Sequence, residues 1–168
     1  MTFATDSLQS DIAALLPRLR RFARTLAGAR EDADDLVQVA LERALTHSAQ
    51  WQPGTRLDSW LYRIMQNAWI DELRARKRRD ATFVPEELGE HVGVASGDAL
   101  HDGIAVRRAL ASLSDEHRAV VGLVLVEGLA YKEAAEVLDI PIGTLTSRLA
   151  RARDALQAQL GGAAERQS

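Results

Sequence analysis

Apolar and polar positions follow a helical period in two blocks, separated by a stretch with no such stripe. From about Ser10 to Leu26, Ile12, Leu15, Leu16, Leu19, Phe22, Ala23 and Leu26 recur every three or four residues, with Arg18, Arg20, Arg21 and Arg24 largely off the stripe. Pro17 interrupts the pattern, so the helix either kinks there or starts near residue 16, and Gly28 ends it. A second helix opens on Glu31, Asp32, Asp34 and Asp35, acids that suit a positive helix N-terminus, and continues through Leu36, Val37, Ala40, Leu41, Ala44 and Leu45. Pro53-Gly54 then marks a turn. A third stripe follows: Trp60, Leu61, Ile64, Met65, Ala68, Trp69 and Leu73. These three helices predict a bundle of roughly 80 residues.

Residues 82–103 carry Pro85, Gly89, Gly93, Gly97 and Gly103 among scattered acids, and read as a linker. A loop of that length inside one compact domain is uncommon. Beyond it, Ile104, Arg107, Arg108, Leu110 and Leu113 make a short helix. Ser114-Asp115 caps an apolar helix through Val120, Val121, Leu123, Val124 and Leu125 that ends at Gly128. Residues 129–156 read as helix, tight turn, helix. Ala134, Ala135, Val137 and Leu138 face inward, Asp139-Ile140-Pro141 breaks the chain, and Leu145, Leu149 and Leu156 lie on the last helix. The predicted fold is all-α, with helical domains at 1–81 and 104–168 joined by a flexible linker over 82–103.

Charge changes this picture more than composition does. The chain has 168 residues, 46% hydrophobic and 27% charged, an ordinary globular balance, and a net charge of -3. Residues 18–30 hold five arginines and no acid, whereas 31–46 hold five acids against Arg43. Residues 55–80 hold seven bases and four acids, and 81–105 hold five acids and no base. The third helix thus begins as a core element and ends in Arg74, Arg76, Lys77, Arg78 and Arg79. Such an end suits a polyanionic partner, although cations also favour any helix C-terminus. Basic patches interrupted by acid predict weak autonomous affinity for DNA.

Candidate chemistry is sparse. There is no cysteine, so disulfides and thiolate metal sites are excluded. His47, His91, His101 and His117 are scattered without partners at ligand spacing, which favours structural or surface roles over metal binding. No phosphate loop or nucleophile-base motif occurs, so no cofactor, metal or enzymatic activity is expected. No apolar run approaches membrane-spanning length and no signal peptide is visible, which predicts a cytoplasmic protein without membrane insertion. The last helix offers Thr144, Thr146, Ser147, Arg148, Arg151 and Arg153, hydroxyls and guanidiniums of the kind that read a major groove. Trp51, in a loop, is the best base-stacking candidate. Trp60 is ambiguous, and Trp69 lies on the core stripe.

Three motifs, DADDLVQVALERAL (32–45), LDSWLYRIMQNAWIDELRARKRR (57–79) and LAYKEAAEVLDIPIGTLTSRLARAR (129–153), resemble in order and spacing those of bacterial sigma-70-family factors of the extracytoplasmic-function (ECF) group. The start LRRFARTLAG and the segment WQPGTRLDSWL are most similar to subfamilies that include general stress-response factors. The resemblance implies a promoter-specificity subunit that binds core RNA polymerase and promoter DNA, catalyses no covalent chemistry and acts in a stress or signal response. By resemblance, Asp34, Asp35, Leu36, Gln38, Val39 and Arg43 dock on polymerase. The third helix and its preceding loop read the minus-ten element through Trp51, Trp60, Asn67, Asp71, Arg74, Arg76 and Lys77, with Gln50 to Asp58 capturing a flipped base. Asp71 either contacts DNA or pairs with a nearby arginine. Thr144, Thr146, Ser147, Arg148, Arg151 and Arg153 read the minus-35 element.

Where many relatives carry lysine in a GTVKSR-like run, this chain has Thr146 in GTLTSR, which removes one phosphate or base contact. The short N-terminus leaves no room for an autoinhibitory domain, so regulation is expected from an anti-sigma protein. Two other classes compete. A regulator using the helix-turn-helix alone leaves 32–79 unexplained. A sigma mimic that titrates an anti-sigma factor has no need of Arg74 to Arg79 or of the polar recognition face.

Overall fold

The computed structural model describes residues 2–82 and 98–165. Three helices form the N-terminal half: α1 (Thr2–Ala27), α2 (Arg30–Thr46) and α3 (Leu57–Asp80), with a 3-10 turn at Ser48–Gln50 between the last two. The C-terminal half holds α4 (Asp98–Ala111), α5 (Asp115–Val121), a π-helical turn at Gly122–Val126, α6 (Tyr131–Leu138) and α7 (Ile142–Glu165). The expected linker lies mostly outside the described residues, but α4 already begins at Asp98, inside the segment assigned to it.

Pro17 does not break α1, which runs through it. The carbonyl deprived of its donor belongs to Ala13, and both Ala13 and Pro17 are exposed, so that carbonyl is open to solvent and the lost bond costs little. Gly28, at φ +75°, closes the helix in a conformation that suits glycine. On α2 the buried face is Ala33, Leu36, Val37, Ala40 and Ala44. Leu45, expected on that face, is 46% exposed, because Ala44 rather than Leu45 continues the line of contact with the bundle.

Ser114 caps α5 as expected, its side chain accepting from the His117 N–H at 3.2 Å. The apolar run after it does not stay α-helical to Gly128. It widens into a π turn in which the Glu127 N–H bonds the Gly122 carbonyl at 2.8 Å. The corner between α6 and α7 ends in a Schellman pair, Asp139 N–H to Glu136 O at 3.2 Å and Ile140 N–H to Ala135 O at 3.1 Å. Asp139 itself is left-handed at φ 53°, a conformation aspartate tolerates better than branched residues do.

One continuous core joins the two halves. Leu19, Phe22, Leu26, Tyr62 and Met65 of the first are in the same buried cluster as Val120, Leu123, Ala134, Leu145 and Leu149 of the second. Phe22 meets Tyr62 edge to face, with ring centroids 5.1 Å apart. A smaller cluster, Leu113, Val121 and Ala152, closes α4 and α5 against α7.

Candidate nucleic-acid interface

Helix α3 is split along its length as its sequence predicts. Leu61, Met65, Ala68 and Trp69 are buried, while Asn67, Arg74, Lys77 and Arg78 are exposed. Arg74, Lys77 and Arg78 make no ion pair among the described residues, so the helix presents three free cations near its end. Arg76 is occupied differently. It pairs with Asp32 and with Glu72, each at 3.0 Å, and its guanidinium stacks over Trp69 at 5.3 Å. Asp71 takes the arginine alternative: Arg43 donates to it at 2.9 Å.

These pairs bridge α2 and α3 and frame a groove of about 400 Å³. The groove brings Asp35, Leu36, Val39 and Arg43, expected to dock on polymerase, together with Asp71 and Arg76, expected to contact DNA. Leu36 is only 5% exposed and belongs mainly to the core, whereas Val39 is 38% exposed. Asp34 and Gln38 are exposed on the outer side of α2. Burial opposes charge on Arg76, but Glu72 and Asp32 outweigh it and hold the guanidinium above its usual range.

Trp51 and Trp60 are half-buried and pack against the core. The Trp51 and Trp69 indole N–H groups are buried with no partner among the described residues. In the first turn of α3, Asp58 collects Arg56 at 2.7 and 3.1 Å, Arg18 at 3.0 Å and the Ser59 N–H at 2.8 Å. Burial alone raises the Asp58 pKa, yet the Arg56 bonds, the Ser59 N–H and Arg18 together lower it below the usual carboxylate value.

On α7 the predicted reading face is solvent-facing. Thr146, Ser147, Arg151 and Arg153 are exposed, and Thr144 and Arg148 half-buried. The hydroxyl of Thr146 donates to the Ile142 and Gly143 carbonyls at 3.0 and 2.9 Å, and Ser147 donates to Thr144 O at 3.2 Å. Their donors are therefore spent within the helix, and what they offer outward is acceptor lone pairs, suited to an exocyclic amine of cytosine or adenine. Arg148 leans on Glu116 at 3.5 Å, and Arg151 and Arg153 make no ion pair among the described residues.

Five residues that the sequence did not single out form the seam between the halves. Arg21 donates to Glu127 through Nε at 2.6 Å and Nη2 at 3.0 Å, and the Tyr62 hydroxyl donates to the same carboxylate at 2.7 Å. Arg56 pairs with Glu133 of α6. The one signal in the sequence was Glu127 itself, an acid closing the otherwise apolar run from Val120. Among the described residues no group of acids and histidines could hold a metal, and no helix is long and apolar enough to cross a membrane.

Residues 12–66 match the family model described as the Sigma2 domain of PhyR, and residues 104–156 match Sigma-70, region 4. The ECF RNA polymerase sigma factor EcfG of Rhodopseudomonas palustris is 38% identical over 157 residues, covering 93% of this chain and 86% of that protein. Among solved structures, the sigma factor RpoE in complex with the anti-sigma factor NepR from Bartonella quintana superposes with a TM-score of 0.77 at 30% identity, covering 92% of this chain and 97% of the other. CnrH in complex with the cytosolic domain of CnrY gives 0.70 at 25% identity, covering 94% and 89%. Two region models in the order of the two helical halves, and identity sustained along almost the whole chain, place the protein in a family: it belongs to the ECF RNA polymerase sigma factors.

Proposed function

We propose that this sigma factor, which directs core RNA polymerase to promoters, divides that work between its halves. The α2–α3 groove, with Asp35, Val39 and Arg43 on its rim, docks on polymerase. The exposed end of α3, with Asn67, Arg74 and Lys77, contacts the minus-ten element. The loop from Gln50 to Asp58 captures a flipped base, with Trp51 its stacking surface. The outward face of α7, centred on Thr144, Ser147, Arg148 and Arg151, reads the minus-35 element as duplex. The complex of the similar sigma factor RpoE with the anti-sigma factor NepR supports an anti-sigma protein as the regulator, in a stress or signal response. The site of action is the cytoplasm, where polymerase works, and the protein performs no catalysis of its own.

One observation carries this reading. A single chain presents two separate cationic helix surfaces, the end of α3 and the face of α7, each backed by a buried apolar stripe. A regulator using a lone helix-turn-helix has no use for the first. The test is transcription in vitro from a genomic promoter library by core polymerase with and without the protein, with transcript starts sequenced. New starts sharing two spaced elements are expected. No initiation above core alone, from protein that still binds an anti-sigma partner, sinks the reading in favour of a mimic.

A further inference from the structure

The loop between α2 and α3 has an exposed tip and two anchored ends. Gln52, Pro53, Gly54, Thr55 and Arg56 are all exposed. Trp51 anchors the near end: its backbone N–H bonds Ser48 O at 3.2 Å and its ring packs on the core. At the tip, Gly54 lies at φ +91°, and Thr55 closes the turn twice on Gln52 O, through its N–H at 3.2 Å and its hydroxyl at 2.7 Å. Both of these bonds are internal to the tip, so its position on the bundle is set by the two ends.

Asp58 holds the far end. Arg56 occupies the N-cap position of α3 and makes no side-chain capping bond, so the usual device for fixing how a chain enters a helix is missing. The Asp58 side chain, only 10% exposed, receives Nε and Nη2 of Arg56 together, a fork that fixes the plane of the guanidinium. It also receives Arg18 from α1, and Arg18 lies over the buried Tyr62 ring at 5.8 Å. The end of the loop is thereby tied to the rigid body of the bundle. All of these groups lie in the N-terminal half, so the anchor does not depend on Glu133, the other partner of Arg56. A serine or asparagine at position 56 satisfies a helix start at lower cost, since a buried carboxylate must first be desolvated. What the carboxylate with two guanidiniums adds is fixed geometry.

We propose that Asp58, seated by Arg18, is a positioning residue for base capture: it does not touch the strand, and it holds the tip from Gln52 to Arg56 at a fixed place relative to Trp51, so that a flipped base meets a loop already in its bound shape. Taking a base out of the stack is costly, and a loop that has to be ordered in the same step adds to that cost. An anchored loop avoids the second cost. The proposal rests on the assignment of this loop to base capture and names the residues that make capture efficient.

The test uses holoenzyme, core polymerase with the full chain, and promoter fragments taken from the starts mapped by transcription in vitro. Each fragment is single-stranded through the minus-ten element, either complete or with an abasic site at one position in turn. In the parent, one abasic position should weaken binding, which marks the captured base. Asp58→Asn keeps the shape of the side chain and turns one acceptor into a donor that faces the guanidiniums. It should weaken binding of the complete strand by up to about tenfold, which corresponds to ordering roughly one residue's backbone on binding, and leave the strand abasic at the marked position unchanged. Arg18→Met should do the same, and Arg18→Lys, which keeps a cationic donor for Asp58, should recover part of the loss. Melting by circular dichroism checks that each variant is folded at the assay temperature. Equal weakening on complete and abasic strands is what a merely structural role gives, and it overturns the proposal, as does no weakening on either. Both of those outcomes leave the capture reading standing. A parent holoenzyme indifferent to an abasic site at every position removes the capture reading and the proposal together.

Discussion

Arg118 is the side chain whose loss the structure prices most clearly. It projects from α5 and donates to three carbonyls: Leu26 O at 2.9 Å, Leu113 O at 2.8 Å and Leu110 O at 3.1 Å. Leu26 is in the last turn of α1, Leu110 in the last turn of α4 and Leu113 just beyond it, so one guanidinium bonds carbonyls at two helix ends, where intrahelical donors run out; Leu110 O also accepts from the Leu113 N–H at 3.1 Å. A cation there also faces the negative end of both helix dipoles. Its side chain is 16% exposed, and Leu26 and Leu113 are buried, so water replaces these bonds poorly.

A bond from a charged donor contributes about 1.5–3 kcal/mol net, and three on one group do not add fully. Replacement by leucine keeps part of the aliphatic packing and removes all three donors, for a loss of about 4 kcal/mol. In a chain of this size each kcal/mol moves Tm by about 2–4 °C, so Arg118→Leu should melt about 8–16 °C lower by circular dichroism. Arg118→Lys retains the charge but reaches fewer carbonyls, and should fall between. Because the group is mostly buried, the loss should be nearly the same at low and at high salt. A leucine variant melting within about 2 °C of the parent refutes the reasoning.

Two further outcomes follow from the seam and from α3. Asp58 has a folded pKa below its ordinary 3.8, so its ionisation stabilises the fold above that pH, and the contribution is lost as pH falls through the lower folded value. Asp58→Asn should therefore flatten the acid limb of a stability profile measured by urea titration between about pH 2 and 5, and an unchanged slope there contradicts the assignment. Charge reversal separates the two arginines of α3: Arg74→Glu should reduce promoter opening and spare polymerase binding, whereas Arg76→Glu should weaken both, because Arg76 is bound into the α2–α3 groove. Permanganate footprinting and a polymerase pull-down read the two effects, and equal behaviour of the two variants rules the distinction out.

Helical periodicity made every long element legible, because each buries a single face and the stripe records it. What escaped was set by groups whose partners lie far along the chain. The π turn has no local signature: Gly122 reads as a neutral residue in an apolar helix until Phe22 and Thr25 stand against it. Arg21 and Glu127 are 106 positions apart, and no periodicity connects them. Pro17 was ambiguous for a different reason, since only the exposure of Ala13 decides whether a lost hydrogen bond can be replaced by water. The outward face of α7 was readable because it is defined by what does not pack. The half-burial of Trp51 was not, because a tryptophan in a loop can turn partly inward, and here one side of it packs on the core.

The block of acids at 31–46 changes meaning once α2 and α3 are seen together. As a sequence it suits a helix N-terminus, and Glu31 and Asp32 do lie in the first turn of α2. In the fold Asp32 neutralises Arg76, and Arg43 is itself neutralised by Asp71, so the acidic and basic runs are partly one another's counter-charge. Arg79 is similarly engaged by Glu72. Among the described residues, Arg74, Lys77 and Arg78 are the cations of the basic end of α3 that no acid pairs with, and so stay open to phosphate. Three contacts to a single strand give a salt slope of about -2, against the six to ten contacts of a protein that grips DNA unaided. Pairing leaves the net charge of -3 as it is and lowers the number of cations open to phosphate. On the function proposed above, recognition then depends on a partner that brings the promoter to the few that remain.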